Sequence, residues 1–136
     1  MFKQLKTSFI QTTLGSTIWI TFLATLLFYD KTVPFIFIWH IIGIGLLFGL
    51  TFGVAYPYFW KYSTLKASTN IFLTTIINSV CGLLSVFIFS SEMFALIKPY
   101  IGLIVLLTLI LHIIAFYFYT KYDNRKQAKQ LNQLLA

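Results

Sequence analysis

The stretch "GIGLLFGLTFG", Gly43 to Gly53, sets four glycines into a run that otherwise has the composition of an apolar helix. In water, each such glycine weakens a helix interior by roughly 0.5–1 kcal/mol relative to alanine. The pattern therefore points to a helix whose backbone is approached closely by something else. Gly45, Gly49 and Gly53 recur every four residues and give a groove along one helix face. Lipid tails are as apolar as leucine, so helices in a bilayer associate through such small-xxx-small grooves and through interhelical hydrogen bonds.

The whole composition points to the same solvent. Of 136 residues, 59% are apolar, 19% aromatic and only 10% charged, too little charge and polar surface to keep a soluble domain of this size dissolved. Apolar stretches at about 9–29, 34–60, 67–89 and 99–119 each approach the ~20 residues that a helix needs to cross ~30 Å of hydrocarbon. They are continuous rather than alternating, which favours helices over a membrane barrel. The connections "DKTV", "KYSTLK" and "SSEMFALIK" are short, and Pro34 and Pro99 fall at the expected starts of the second and fourth helices, where a missing amide hydrogen costs little. The expected fold is an all-α integral membrane protein: an up-down four-transmembrane-helix bundle over residues 1–120, followed by a basic amphipathic tail over residues 121–136.

Charge orients this bundle. Lys3, Lys6, Lys61, Lys66, Lys121, Arg125, Lys126 and Lys129 fall on one side, against Lys31 and Lys98 on the other. The positive-inside rule then predicts a multi-pass protein of the cell membrane with both termini in the cytoplasm. On this reading the net charge of +7 reflects topology and contact with anionic headgroups, and direct binding of nucleic acid is not expected. The basic start "MFKQLK" resembles a signal peptide, but the apolar run behind it is long and has no evident small-x-small cleavage site, so it reads as a retained first span. Cys81 is the only cysteine and lies within the third span; an internal disulfide or cysteine metal cluster is ruled out, and Cys81 reads as a small packing residue.

A partner for the glycine groove is present in the first span, where Thr13, Thr17, Thr21 and Thr25 also recur every four residues. Packing of this ridge into the groove within one chain is the preferred reading. A glycine-lined homodimer interface, giving a homo-oligomer, is the alternative.

A search for chemistry finds little. Asp30, Glu92 and Asp123, the only acids, fall in predicted loops or the tail, which removes the paired carboxylates of acid-base catalysis, of hard-metal sites and of proton-coupled transport. No nucleophile-base pair, phosphate-binding glycine loop or metal-ligand spacing is visible. The chain reads as a non-enzyme with no catalytic residue, no metal site and no cofactor. The polar residues inside the spans remain. The third span opens with "ASTNIFLTTIINS", and its Asn70, Thr74 and Asn78 are expected to face the bundle and bond between helices. His112, about 12 Å from the Thr120 end of the fourth helix, is the deepest titratable group; it reads as a neutral, satisfied structural histidine, for which a bond to Asn78, Thr74 or Thr75 is the geometry expected, with a gate or ligand site as the alternative. His40 sits in the outer part of the second span beside Trp39. This seam reads as structural glue. The alternative is a small transporter, channel or immunity-type protein with a polar path along the third helix.

In the tail, a helical reading puts Lys121, Arg125 and Lys129 on one stripe and Ala128, Leu131 and Leu135 on another. The stripes suit either an interfacial segment, with lysines on anionic lipid, or a docking helix whose leucines enter a groove on a cytoplasmic protein. The candidate cytoplasmic surface is thus Lys61, Lys66, Lys121, Arg125, Lys126, Lys129, Leu131 and Leu135.

The segments "FGVAYPYFW" (52–60), "YSTLKASTNIFLTT" (62–75) and "YDNRKQAKQLNQLL" (122–135) resemble the corresponding parts of an uncharacterised family of small four-helix bacterial membrane proteins, often encoded beside LytTR-type DNA-binding regulators. The chain differs from that family in its short "DKTV" connection, in Tyr62 where the family carries tryptophan and in Ile71 where it carries histidine. The resemblance implies a membrane-anchored regulatory protein that holds a cytoplasmic transcription regulator at the membrane.

Overall fold

A computed structural model describes residues 1–135, with side chains through residue 133. All regular structure among the described residues is helical. Helix α1 covers Phe2–Leu27, α2 covers Phe37–Tyr62, α3 covers Ala67–Phe89, the short α4 covers Ser91–Ile97 and α5 covers Ile101–Leu135. A 3-10 turn, Lys98–Tyr100, joins α4 to α5, so that Ser91–Gln133 runs as one long helical segment. Four helices, α1, α2, α3 and this last segment, are long and apolar enough to cross a membrane.

The burial pattern matches that solvent. The buried apolar side chains are Leu5, Ile20, Ala24, Ile41 and Ile44, whereas Thr51, Asn70, Thr74, Thr75, Ser79, Ser85 and His112 are buried although polar. Large apolar side chains such as Ile18, Phe22, Leu84, Leu103 and Leu111 point outward. In water this exterior would form apolar patches far larger than monomeric soluble proteins tolerate. In hydrocarbon it costs nothing, and the polar groups gain by turning inward.

Helix α1 begins seven residues before its apolar run, because Lys3, Gln4 and Lys6 are good helix formers and extend it. It stops at Phe28, whose N–H still reaches the Ala24 carbonyl at 2.9 Å. Pro34 then disfavours helical backbone at Val33. Residues 34–36 form a tight turn whose carbonyls accept from Phe37, Ile38 and Trp39 at 2.9–3.2 Å, and the regular helix starts at Phe37 rather than at the proline. The segment "SSEMFALIK", expected as a loop, is helical over Ser91–Ile97: Ser90 Oγ accepts from Met93 N–H at 3.2 Å and Glu92 lies in the first turn. These are the side-chain cap and the acidic residue that favour a helix start.

Helix α2 is not uniform. It is α-helical over Phe37–Phe48 and then π-helical over Gly49–Ala55 and Tyr58–Tyr62. Pro57 lies between the two π segments; it has no N–H to donate, and in an α-helix its ring would crowd the Gly53 carbonyl, which the wider turns relieve. The change of pitch also straightens the glycine line. In an α-helix four residues overshoot one turn by about 40°, whereas in a π-helix four residues fall short of one. The two deviations offset each other, and Gly45, Gly49 and Gly53 are all buried.

Helix α1 lies on that line. A Cβ at Gly45 would meet Thr17 Oγ1, and one at Gly49 would meet Thr13 Oγ1 and the Phe9 ring. Thr21 and Thr25 do not take part: α1 stays α-helical, so its threonines drift around the helix, and both are exposed, donating to the Thr17 and Thr21 carbonyls at 2.7 and 2.8 Å. Past Thr17 the contact passes to Ile20 and Ala24 against Ile41 and Ile44, flanked by Phe28, Phe37, Phe48, Ile88 and Phe89. The main packing then continues from α2 to α3 and from α3 to α5.

Candidate functional site

At one end of the molecule, Tyr62 donates its hydroxyl to Gln4 Oε1, and the Trp60 ring lies tilted against Tyr119 at 5.3 Å. The N-terminus, the end of α2 and the point where α5 leaves its neighbours therefore share one end. The expected basic surface gathers there. Lys61 and Lys66 are exposed, Lys61 lying 5.3 Å over the Tyr62 ring. Lys121 lies 5.7 Å over Tyr117, and Arg125, Lys126, Lys129 and Leu131 are exposed along α5. The side chain of Leu135 is outside the described residues.

Between α2 and α5 lies a polar pair within the spans. His112 is 5% exposed. Its Nδ1 is 2.7 Å from the Thr108 carbonyl oxygen, and its Nε2 meets the Tyr56 hydroxyl. A carbonyl only accepts, so Nδ1 carries a proton; in the Nδ1–H tautomer Nε2 accepts from the Tyr56 O–H. The expected bond from His112 to Asn78, Thr74 or Thr75 is not made, because α5 aims His112 at α2, where the π turns bring Tyr56 within reach.

Tyr56 belongs to an aromatic column. Phe48, Phe52, Tyr56 and Trp60 follow one another every four residues with ring centroids 5.8, 5.2 and 5.0 Å apart. Trp60 continues it onto Phe116 of α5 at 5.6 Å. This i, i+4 aromatic repeat is the signal in the sequence that could have singled out Tyr56 and Trp60; Ser79 closes the polar stretch that opens the third span, and nothing in the pattern marked Thr108.

The third helix supplies the floor. Asn70 is buried, but it serves the α2–α3 connection: Ser63 Oγ donates to its Oδ1 at 3.0 Å, and its Nδ2 donates to the Leu65 carbonyl at 3.4 Å. Thr74 and Thr75 face inward, yet their hydroxyls donate to carbonyls of their own helix at 2.8 Å rather than to another helix. A helical threonine can reach its own preceding turn, as these two do, so the expected interhelical bonds are not needed. Asn78 lines a cavity of about 210 Å³ together with Tyr56, Trp60, Thr108 and His112. A second cavity of about 320 Å³, lined by Phe52, Ser79 and Gly82 among others, shares Asn78 and Thr108 with the first. The four polar seam residues are thus not one constellation: Asn78 and His112 share a cavity, while Asn70 and Thr74 are turned to other tasks.

His40 lies 5.8 Å from Phe37 in an edge contact, and Cys81 is a free, partly exposed thiol. Among the described residues, no group of three His, Cys, Asp or Glu side chains is placed to hold a metal ion. No family model, curated protein or solved structure matches the chain, and the functional reading rests on geometry.

Proposed function

We propose that this chain is a non-enzymatic, membrane-anchored interaction protein. In this reading it is an up-down bundle in the cell membrane with both termini in the cytoplasm. Its working element is the helical arm that α5 extends beyond the membrane. The observation that carries the proposal is the continuity of α5: 35 residues without a break, about 52 Å at 1.5 Å per residue, against ~30 Å of hydrocarbon. The excess is a helix with Lys121, Arg125 and Lys129 along one stripe and Leu131 exposed beside it. An arm that is rigid where it leaves the bilayer can present a partner with a fixed face at low ordering cost. The partner proposed is a cytoplasmic regulator of transcription, held at the membrane by the leucine face. The clustering of eight of the ten basic residues on one side supports the orientation.

The test is a photo-crosslinking residue at Leu131 in the full chain, in its native membrane. Crosslinks to one soluble protein, lost when the chain ends at Thr120, support the proposal. Crosslinks confined to lipid would refute the docking role and leave the arm as an interfacial anchor.

A further inference from the structure

We propose that the groove between α2 and α5 binds a neutral, membrane-dissolved molecule bearing carbonyl oxygens, held by the Trp60 indole N–H toward one end and by Asn78 and Ser79 deeper in. The two cavities described above meet at Asn78 and Thr108, which line both. The two cavities adjoin along α3, the first against Tyr56 and Trp60 of α2 and the Thr108–His112 turn of α5, the second against Phe48 and Phe52; the proposed ligand spans both.

The groove holds polar atoms without partners. Ser79 is 8% exposed, and its buried Oγ has no hydrogen-bond partner. The neighbouring buried hydroxyls of α3 behave otherwise: Thr74, Thr75 and Ser85 each donate to a carbonyl of their own helix at 2.7–2.8 Å. Ser79 has the same option and does not use it. Trp60 Nε1, also buried, is likewise unpartnered; the remaining such atom among the described residues, Thr13 Oγ1, lies in the α1–α2 seam against Gly49 and lines neither cavity. Buried polar groups are nearly always satisfied, and an unpartnered one on a residue that lines a cavity calls for an absent partner, which a small side-chain rotation would admit.

The chemistry of these atoms selects the ligand. An indole N–H only donates, so the ligand must accept there. The Asn78 amide and the Ser79 hydroxyl can each donate to a second acceptor. No Asp, Glu, Lys or Arg lines either cavity, and both ring nitrogens of His112 are already engaged, by the Thr108 carbonyl and by Tyr56; a charged ligand would be left uncompensated at this depth. The tilted rings of Phe52, Tyr56 and Trp60 offer an aromatic wall to the body of the molecule. Leu111, 64% exposed, and exposed Ala115 stand at the mouth, so entry is from the bilayer. A ring carbonyl of an isoprenoid quinone and an ester carbonyl of a diacylglycerol share this chemistry. The inference uses no residue beyond Thr120 and is independent of the arm's role.

The test uses the full chain in phosphatidylcholine nanodiscs, with Trp19→Phe and Trp39→Phe leaving Trp60 as the sole indole. Its fluorescence is followed against a decyl-substituted benzoquinone, which quenches indoles on contact, and separately against dioctanoylglycerol. Saturable quenching, or a saturable shift of emission with the glyceride, supports the site when Ser79→Ala or Asn78→Leu raises the half-saturation concentration at least tenfold. The arm that saturates identifies the source of the carbonyl. Ser79→Ala removes one oxygen, so it carries the test even where Asn78→Leu does not fold. Responses that rise linearly with probe in both arms, or that are equal in the parent and Ser79→Ala proteins, would overturn the inference.

Discussion

A Cβ on Gly53 would stand 2.7 Å from the Phe9 Cα and 2.9 Å from the Ser8 carbonyl oxygen, so α1 and α2 meet there backbone to backbone. The two contacts further along the same line differ in kind. At Gly45 and Gly49 the first atoms met are the Thr17 and Thr13 hydroxyl oxygens, side-chain atoms that a change of rotamer can move, at Thr17 with loss of its bond to the Thr13 carbonyl. A side chain that yields lowers the penalty of an added methyl group, whereas two backbones can separate only by moving a whole helix.

Gly53→Ala should therefore destabilise the protein by about 1–3 kcal/mol, more than Gly45→Ala. Gly43 and Gly82 have no atom within 4 Å of a built Cβ. Their alanine variants should be neutral or gain up to about 1 kcal/mol from helix propensity. Reversible unfolding in mixed detergent micelles measures all four. Equal effects at Gly53 and Gly43 would mean that the backbones do not touch.

These contacts also mark how far the sequence could be read. The small residues at 45, 49 and 53 name the face against which α1 lies, because close approach demands glycine and glycine is visible. That Thr21 and Thr25 leave this face was hidden, since the four-residue spacing looks alike in both helices while only α2 changes pitch. Local pattern carries no sign of a π turn beyond Pro57, and without the π turns the meeting of Tyr56 with His112 could not be placed. The same limit applies to Ser79: its spacing from Thr75 is ordinary, and only the absence of a bond to the preceding turn sets it apart. The helix at Ser91–Ile97 was more legible than the loop assignment allowed, for Ser90, Glu92 and Met93 hold a start signal in plain sequence.

The Tyr56–His112 pair should couple α2 to α5. Tyr56→Phe and His112→Phe should each destabilise, and the double variant should lose less than their sum, with a coupling of about 0.6–2 kcal/mol. Nitrogen chemical shifts of labelled histidine provide a second readout. His112 should show a protonated Nδ1 and an unprotonated Nε2. The opposite tautomer would break the assigned direction of the Tyr56 bond.

Orientation can be tested by cysteine labelling, because Cys81 is the only native thiol. In a Cys81→Ser background, cysteines replacing Lys31 or Lys98 should react with an impermeant maleimide added outside intact cells. Cysteines replacing Lys66 or Lys126 should react only after the membrane is opened. Reversed labelling would place the basic surface outside and remove the cytoplasmic regulator from consideration.

The arm yields a distance that separates a rigid helix from an adaptable tail. Thr120 Oγ1 donates to the Phe116 carbonyl at 3.0 Å, and Gln127 Nε2 donates to Asp123 Oδ2 at 2.8 Å, four residues apart on one face; both bonds support helix across the boundary. Spin labels at Thr120 and Leu131 should then report a narrow backbone separation of about 16 Å at 1.5 Å per residue, in nanodiscs with or without anionic lipid. The basic stripe adds a separable electrostatic effect. Exchanging Arg125 and Lys129 for glutamine should weaken attraction to phosphatidylserine-containing surfaces by about 1 kcal/mol per charge, with the loss shrinking at high salt. A broad distance distribution that narrows only on anionic lipid would show that the surface imposes the helix, and the docking role would then need a partner able to compete with the membrane for it.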